Sequence, residues 1–186
     1  MQRVARWCDW QRQGLEHCVL TETADGLRLE GVAAGSDPVA FGAHYRVGTD
    51  AQFHTREVRL SFAGGHSLHL ASDGRGQWRD VARGTALPAL EGCLDIDIGI
   101  TPATNTLPIR RLGLAEGASA EILAAFVPPP ETGGAEIALR MARQRYTRLG
   151  EDRYRYEGLE SGFTADIEVD AAGLVLDYPG VFRRLG

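Results

Sequence analysis

Two carboxylates, Asp95 and Asp97, stand two residues apart in the stretch Cys93–Leu112, CLDIDIGITPATNTLPIRRL. In an extended chain they share one face, with Cβ atoms about 6–7 Å apart at roughly 3.3 Å rise per residue. That separation is within reach of paired acid–base chemistry. A solvated strand face, or pairing with arginines of a neighbouring strand, accounts for the same spacing. Pro102 and Pro108 then bracket Thr104, Asn105 and Thr106, and Arg110 and Arg111 follow. Prolines fix the backbone, so Thr101, Thr104, Asn105 and Thr106 can offer hydroxyl and amide groups to sugar hydroxyls or to their own backbone. Read as a Pro-fixed turn feeding a strand, the segment sends Arg110 and Arg111 to opposite faces, one of them toward Asp95 or Asp97.

Other chemistry is less well supported. The histidines (His17, His44, His54, His66, His69) form no H-E-x-x-H, and no Cys/His pair has zinc spacing. No metal or other cofactor is therefore expected. In Glu16-His17-Cys18 an extended backbone sends neighbours to opposite faces, which rules out a Cys–His pair there. Cys93 opens a strand and reads as a structural cysteine, and Gly-x-Ser-x-Gly is absent. Asp73-Gly74-Arg75-Gly76 leads toward Trp78 rather than a helix, so it reads as a tight turn and not a phosphate loop. A basic, aromatic cluster runs from Arg143 through Arg145, Tyr146, Arg148, Arg153 and Tyr154 to Arg155 and Tyr156. Arginine forks and aromatic faces suit an anionic or sugar headgroup. Single-stranded nucleic acid would use the same groups, but the net charge of −5 opposes it.

Composition narrows the classes further. All 20 basic residues are arginine, so lysine Schiff-base chemistry is unavailable. Three cysteines without C-x-x-C spacing argue against a disulfide framework. The start, MQRVARWCDWQRQ, has no apolar run of signal-peptide length, and no segment is apolar over a membrane span. A cytoplasmic location is the expectation.

The elements that must position these residues are strands. Apolar residues alternate with polar ones in Leu27–Val32, Val58–Phe62, Leu68–Leu70, Leu94–Ile100, Ile137–Met141, Arg153–Tyr156, Ile167–Val169 and Leu174–Leu176. Turn pairs separate them: Asp25-Gly26, Gly64-Gly65, Asp73-Gly74, Gly133-Gly134, Leu149-Gly150 and Ala172-Gly173. The spacing predicts an antiparallel meander, mainly β, with a strand rather than a helix over residues 136–146. A short N-terminal helix is weakened by Trp7, Trp10 and Gly14, and Pro128–Gly134 is the best hinge. Residues 45–78 and 154–180 share an order of aromatic–basic strand, loop, alternating strand, Gly hairpin and apolar strand. One domain over 1–186 with two pseudo-repeats, about 14–100 and 101–186, follows. Such a sheet must bury its apolar face on itself, and a curved sheet that does not close leaves a groove.

Taken together, CLDIDIGITPATNTLPIRRL, GLEHC (14–18), SDGRGQW (72–78), QRYTRL (144–149), RYRY (153–156) and VDAAGLVLDYPGVFRRL (169–185) resemble the bacterial family described as "putative glycolipid-binding". The family pattern has Phe where this chain has Ala103. The resemblance spans Trp10 to Leu185. It implies a duplicated, antiparallel half-barrel like that of lipoprotein localisation factors, whose concave face holds acyl chains. It carries no catalytic residues. The first reading is then a non-catalytic binder of a glycolipid or other amphipathic lipid, without nucleic acid as a partner. Its candidate ligand-facing residues are Trp78, Asp95, Asp97, Thr104, Asn105, Arg110, Arg145, Tyr154 and Tyr178. The second reading is an enzyme acting on a sugar or small anionic metabolite, with Asp95 or Asp97 as acid or base and Arg110 stabilising charge. The third is an interaction module with a filled core and an exposed apolar patch.

Overall fold

The structure, a computed structural model, describes residues 1–131 and 137–186. The chain forms one curved sheet that does not close into a barrel. Strands β1 (Gln2–Asp9), β2 (Leu15–Thr23), β3 (Gly26–Gly35), β4 (Phe41–Thr49), β5 (Thr55–Phe62), β6 (Ser67–Ser72), β7 (Trp78–Asp80) and β8 (Thr85–Ala86) run outward as a meander. The chain then crosses to the opposite edge and lays down β9 (Asp95–Ile98). Helix α1 (Thr106–Leu112) follows. A second meander runs back through β10 (Ser119–Val127), β11 (Arg140–Arg148), β12 (Arg153–Gly158), β13 (Thr164–Val169), β14 (Val175–Tyr178) and β15 (Phe182–Arg184). Strand β15 docks on β1, with Trp7 opposite Arg184 and Asp9 opposite Phe182. The order across the sheet is β8 to β1, then β15 down to β9. Every described pairing is antiparallel except that of β9 with β10.

Residues 87–94 join the two edges of the sheet, and backbone hydrogen bonds tie this segment to the first meander: Thr55 N–H donates to Leu94 O (2.9 Å) and Gly92 N–H to Gly76 O (2.9 Å). Trp78 Nε1 donates to Cys93 O (2.8 Å) from a buried position. The strand at the crossing uses both of its faces. Ile96 and Ile98 enter a core built on Trp7, Leu29, Tyr45 and Leu60 of the first meander. Asp95 and Asp97 point the other way, toward the second meander, whose core holds Ile122, Tyr146, Ile167 and Tyr178. Next to it in β10, Ala124 joins the second core and Ala125 the first. This is the alternation of a strand buried on both sides.

The segment after β9 departs from the expected turn and strand. Ala103–Asn105 is a 3₁₀ turn that runs directly into α1. Pro108 falls in the first turn of the helix, where a missing N–H costs no intrahelical bond. Gly113 (φ 50°) ends the helix in a left-handed conformation. Arg110 and Arg111 are therefore neighbours on a helix, not on opposite strand faces. Arg111 reaches Asp95 through two bonds, Nε to Oδ1 (3.1 Å) and Nη2 to Oδ2 (2.6 Å). Arg110 turns to Glu22 (2.5 Å) and the Ala172 carbonyl. At the N-terminus β1 is a strand, with Ala5 and Trp7 inward, where a short helix was conceivable. Residues 140–148 are strand, as the alternation predicts, although that strand begins after Ile137 and Leu139. The Gly133-Gly134 turn and most of the expected hinge lie outside the described residues. No helix among the described residues is long and apolar enough to cross a membrane.

Asp95 is 1% exposed, so its charge depends on Arg111. Removing one partner of a buried pair leaves an uncompensated charge. Arg111→Ala is expected to lose about 3–5 kcal/mol of unfolding free energy by urea titration. Arg145→Ala, which breaks exposed pairs with Glu121 and Glu157, should leave stability almost unchanged.

Candidate functional site: a cleft closed by a buried carboxyl

On β2 the inward residues are Glu16, Cys18 and Leu20, while Leu15 and His17 face out. A glutamate on the core side of a strand needs partners. Two O–H groups supply them. Thr101, three residues after β9, donates from Oγ1 to Glu16 Oε1 at 2.6 Å, and Tyr45 of β4 donates its hydroxyl to the same oxygen. The Tyr45 and Thr101 oxygens lie 3.2 Å apart. Strand β3 lies between Tyr45 and Glu16, and the tyrosine crosses it over Gly31, the register partner of both Cys18 and Tyr45. A Cβ at position 31 would sit 2.5 Å from the Tyr45 ring, so only glycine leaves the ring its path.

Glu16 is 3% exposed, and its second oxygen, Oε2, is buried without a hydrogen-bond partner among the described residues. Burial pushes the Glu16 carboxyl up to about 7, against the two hydrogen bonds that favour its ionised form. Cys18, on the same face, is pushed up to about 12 by burial and by Glu16, so it stays a thiol rather than a nucleophile. Glu16 forms part of the wall of a cleft of about 410 Å³. Phe41, Ile100, Pro129 and Val181 give this cleft apolar surface, with the fully buried Trp7 behind them. Asp9, Gln11, Gln13, Ser36 and Asp37 give it polar groups. The cleft therefore collects residues from the first meander, the segment after β9 and the β14–β15 turn.

The sequence-predicted candidates gather elsewhere. Asp97 Oδ2 accepts from Gln144 Nε2 (2.6 Å), and Oδ1 lies 3.5 Å from Thr104 Oγ1. Beside them Tyr146 donates to Asn105 Oδ1 (2.8 Å), and Asn105 donates to Pro102 O (3.2 Å). Tyr146, Tyr156, Phe163 and Tyr178 stack around this group, with successive centroids 5.5–6.1 Å apart. Burial raises the Asp97 carboxyl to about 6. Asp97, Thr104, Asn105 and Tyr178 thus form one cluster. The others sit apart from it: Trp78 pins the crossing segment, Arg110 binds Glu22, and Arg145 binds Glu121 and Glu157 on the surface. Tyr154 is buried in the second core with Arg148 over its ring. Asp95 and Asp97 do share a strand face, but Arg111 occupies both oxygens of Asp95. The arginine beside the aspartates is Arg111, not Arg110.

The family model described as "Putative glycolipid-binding" matches residues 4–184. This chain belongs to that family. The fold agrees with a solved relative, a DUF1089 family protein from Pseudomonas aeruginosa. It is 44% identical, with a TM-score of 0.80, and the match covers 93% of this chain and 92% of that one. No functionally curated protein matches. Within the family's extent lie Glu16, Tyr45 and Thr101, residues that sequence reading did not assemble. Glu16 lay next to a rejected Cys–His pair, and Tyr45 lay on a strand noted only for its pattern. The one local signal was a glutamate in phase with the inward Cys18 and Leu20 of the same strand. The partners that make it meaningful come from 29 and 85 residues away.

The raised carboxyls fix a sign for pH dependence. A carboxyl that holds its proton more tightly when folded adds stability at low pH, and the addition disappears as pH rises through its folded value. For Glu16 the window runs from 4.5 to about 7; Asp97 adds the same sign from 3.8 to about 6. Thr101, Tyr45 and Cys18 face Glu16, and none of them titrates in that window. The thermal midpoint should fall as pH rises from 5 to 8, and Glu16→Gln should flatten that fall, with an effect on the order of 3 kcal/mol at most. Gly31→Ala should lose about 1–3 kcal/mol by overpacking, read by the same thermal melts.

Proposed function

We propose that this chain binds an amphipathic lipid, and by its family's description a glycolipid, in the cleft beside Glu16, without catalysing a reaction on it. The observation that carries the reading is the cleft itself. It places the apolar residues Phe41, Ile100, Pro129 and Val181 beside a buried carboxyl with one unpaired oxygen. Ligand sites combine apolar lining with placed polar groups, and this cleft offers the two in nearly equal measure. An acyl or alkyl chain gains about 25 cal/mol per Å² of apolar area withdrawn from water. Hydroxyl groups of a head can meet Gln11, Gln13, Ser36 and Glu16. An acid–base role for the aspartates has less support, because Arg111 holds Asp95 and Gln144 holds Asp97.

Stripped of co-purified lipid and then offered separate glycolipid and phospholipid pools, the protein should retain a lipid mass in native mass spectrometry. Phe41→Ala, which removes part of the apolar wall, should weaken retention about tenfold, equivalent to ~1.4 kcal/mol. Absence of any retained lipid from every pool would sink the reading.

A further inference from the structure

The cleft's charge is one-sided. Asp9, Glu16 and Asp37 line it, while no arginine or histidine does among the described residues. In a chain whose 20 basic residues are all arginine, this is a property of the place and not of the composition. Nearby arginines are engaged outside the lining. Arg184 lies over Trp7 and pairs with Asp170, and Arg183 lies over Trp10. Arg12, between Gln11 and Gln13 in sequence, is exposed and is not part of the lining. A phosphate, sulfate or carboxylate entering this cleft would meet like charge with no fork to receive it.

Glu16 sharpens the assignment. Its Oε1 is occupied by Tyr45 and Thr101, so only Oε2 remains for a ligand. That atom accepts a hydrogen bond when the carboxyl is ionised and donates one when it is protonated. A hydroxyl group can do either, and so it suits Oε2 in both states. Gln13 and Ser36, joined at 3.1 Å, add an amide and a hydroxyl at the exposed end. We propose that the cleft selects a hydroxyl-rich sugar headgroup without phosphate, sulfate or carboxylate, and that Glu16 Oε2 is the atom that receives it. This assignment rests on the lipid-binding reading above and gives it a headgroup class.

Three probes share one alkyl chain and differ in the head: octyl glucoside, octyl phosphate and octylammonium, each titrated calorimetrically at pH 8 below its micelle-forming concentration. Octyl glucoside should bind at least about tenfold tighter than octyl phosphate. Glu16→Leu should weaken octyl glucoside about tenfold. Glu16→Gln keeps a polar group and removes the charge, so it should tighten octyl phosphate and narrow the preference. Asp97→Asn, in the separate tyrosine cluster, should change none of these values. Circular dichroism checks that each variant is folded. Octyl phosphate or octylammonium matching octyl glucoside in the unmodified protein overturns the headgroup assignment and leaves lipid binding standing. So does a preference that neither Glu16 variant alters. If none of the three probes binds, the lipid-binding reading fails with it. Glucose alone binding as tightly as octyl glucoside upholds the headgroup and removes the alkyl chain from the account.

Discussion

The strand Asp95–Ile98 is buried on both faces, and the rest of the molecule is arranged around that fact. It lies at one edge of the sheet, reached from the opposite edge by residues 87–94. Ile96 and Ile98 are fully withdrawn into the first core. Each such side chain contributes about 1.5–3 kcal/mol. Its other face carries two carboxylates, which cannot be left bare in a low-dielectric setting. Arg111 answers one and Gln144 the other. Helix α1 exists where it does partly to deliver Arg111, and it fills the space between the two cores with Leu107 on one side and Ile109 on the other.

The same strand also sets up the cleft. Three residues beyond Ile98 the chain places Thr101 against Glu16, so the segment after β9 completes a polar group whose other members are on β2 and β4. Glycine at position 31 permits this, because the tyrosine ring must pass over the backbone of β3. A buried carboxyl with one satisfied oxygen and one unsatisfied oxygen is costly. It stands in the lining of the cleft, where the proposed ligand would supply the missing bond.

Much of the architecture was legible in the chain. Period-two alternation and Gly turns gave the antiparallel meander, and the family motifs gave a curved sheet that does not close. The turn expected after Pro102 was misread for a local reason. Proline signals a break in a strand, but in the first helical turn it is harmless, and Gly113 supplied the stop. The aspartates were legible as a pair on one face, but the choice of Arg111 over Arg110 depended on helix geometry that strand logic could not supply.

Sequence alone determined which faces were apolar, where turns fell, that no lysine or paired cysteine could act, and the family to which the chain belongs. Those properties reside in neighbouring residues and in composition. Tertiary structure decided that both faces of Asp95–Ile98 are interior, that Glu16, Tyr45 and Thr101 meet, and that among the described residues no arginine lines the cleft beside Glu16. Each of these depends on groups brought together across tens of residues by the closing of one meander onto the other. Burial, hydrogen-bond satisfaction and local charge are properties of that juxtaposition, and no local pattern encodes them.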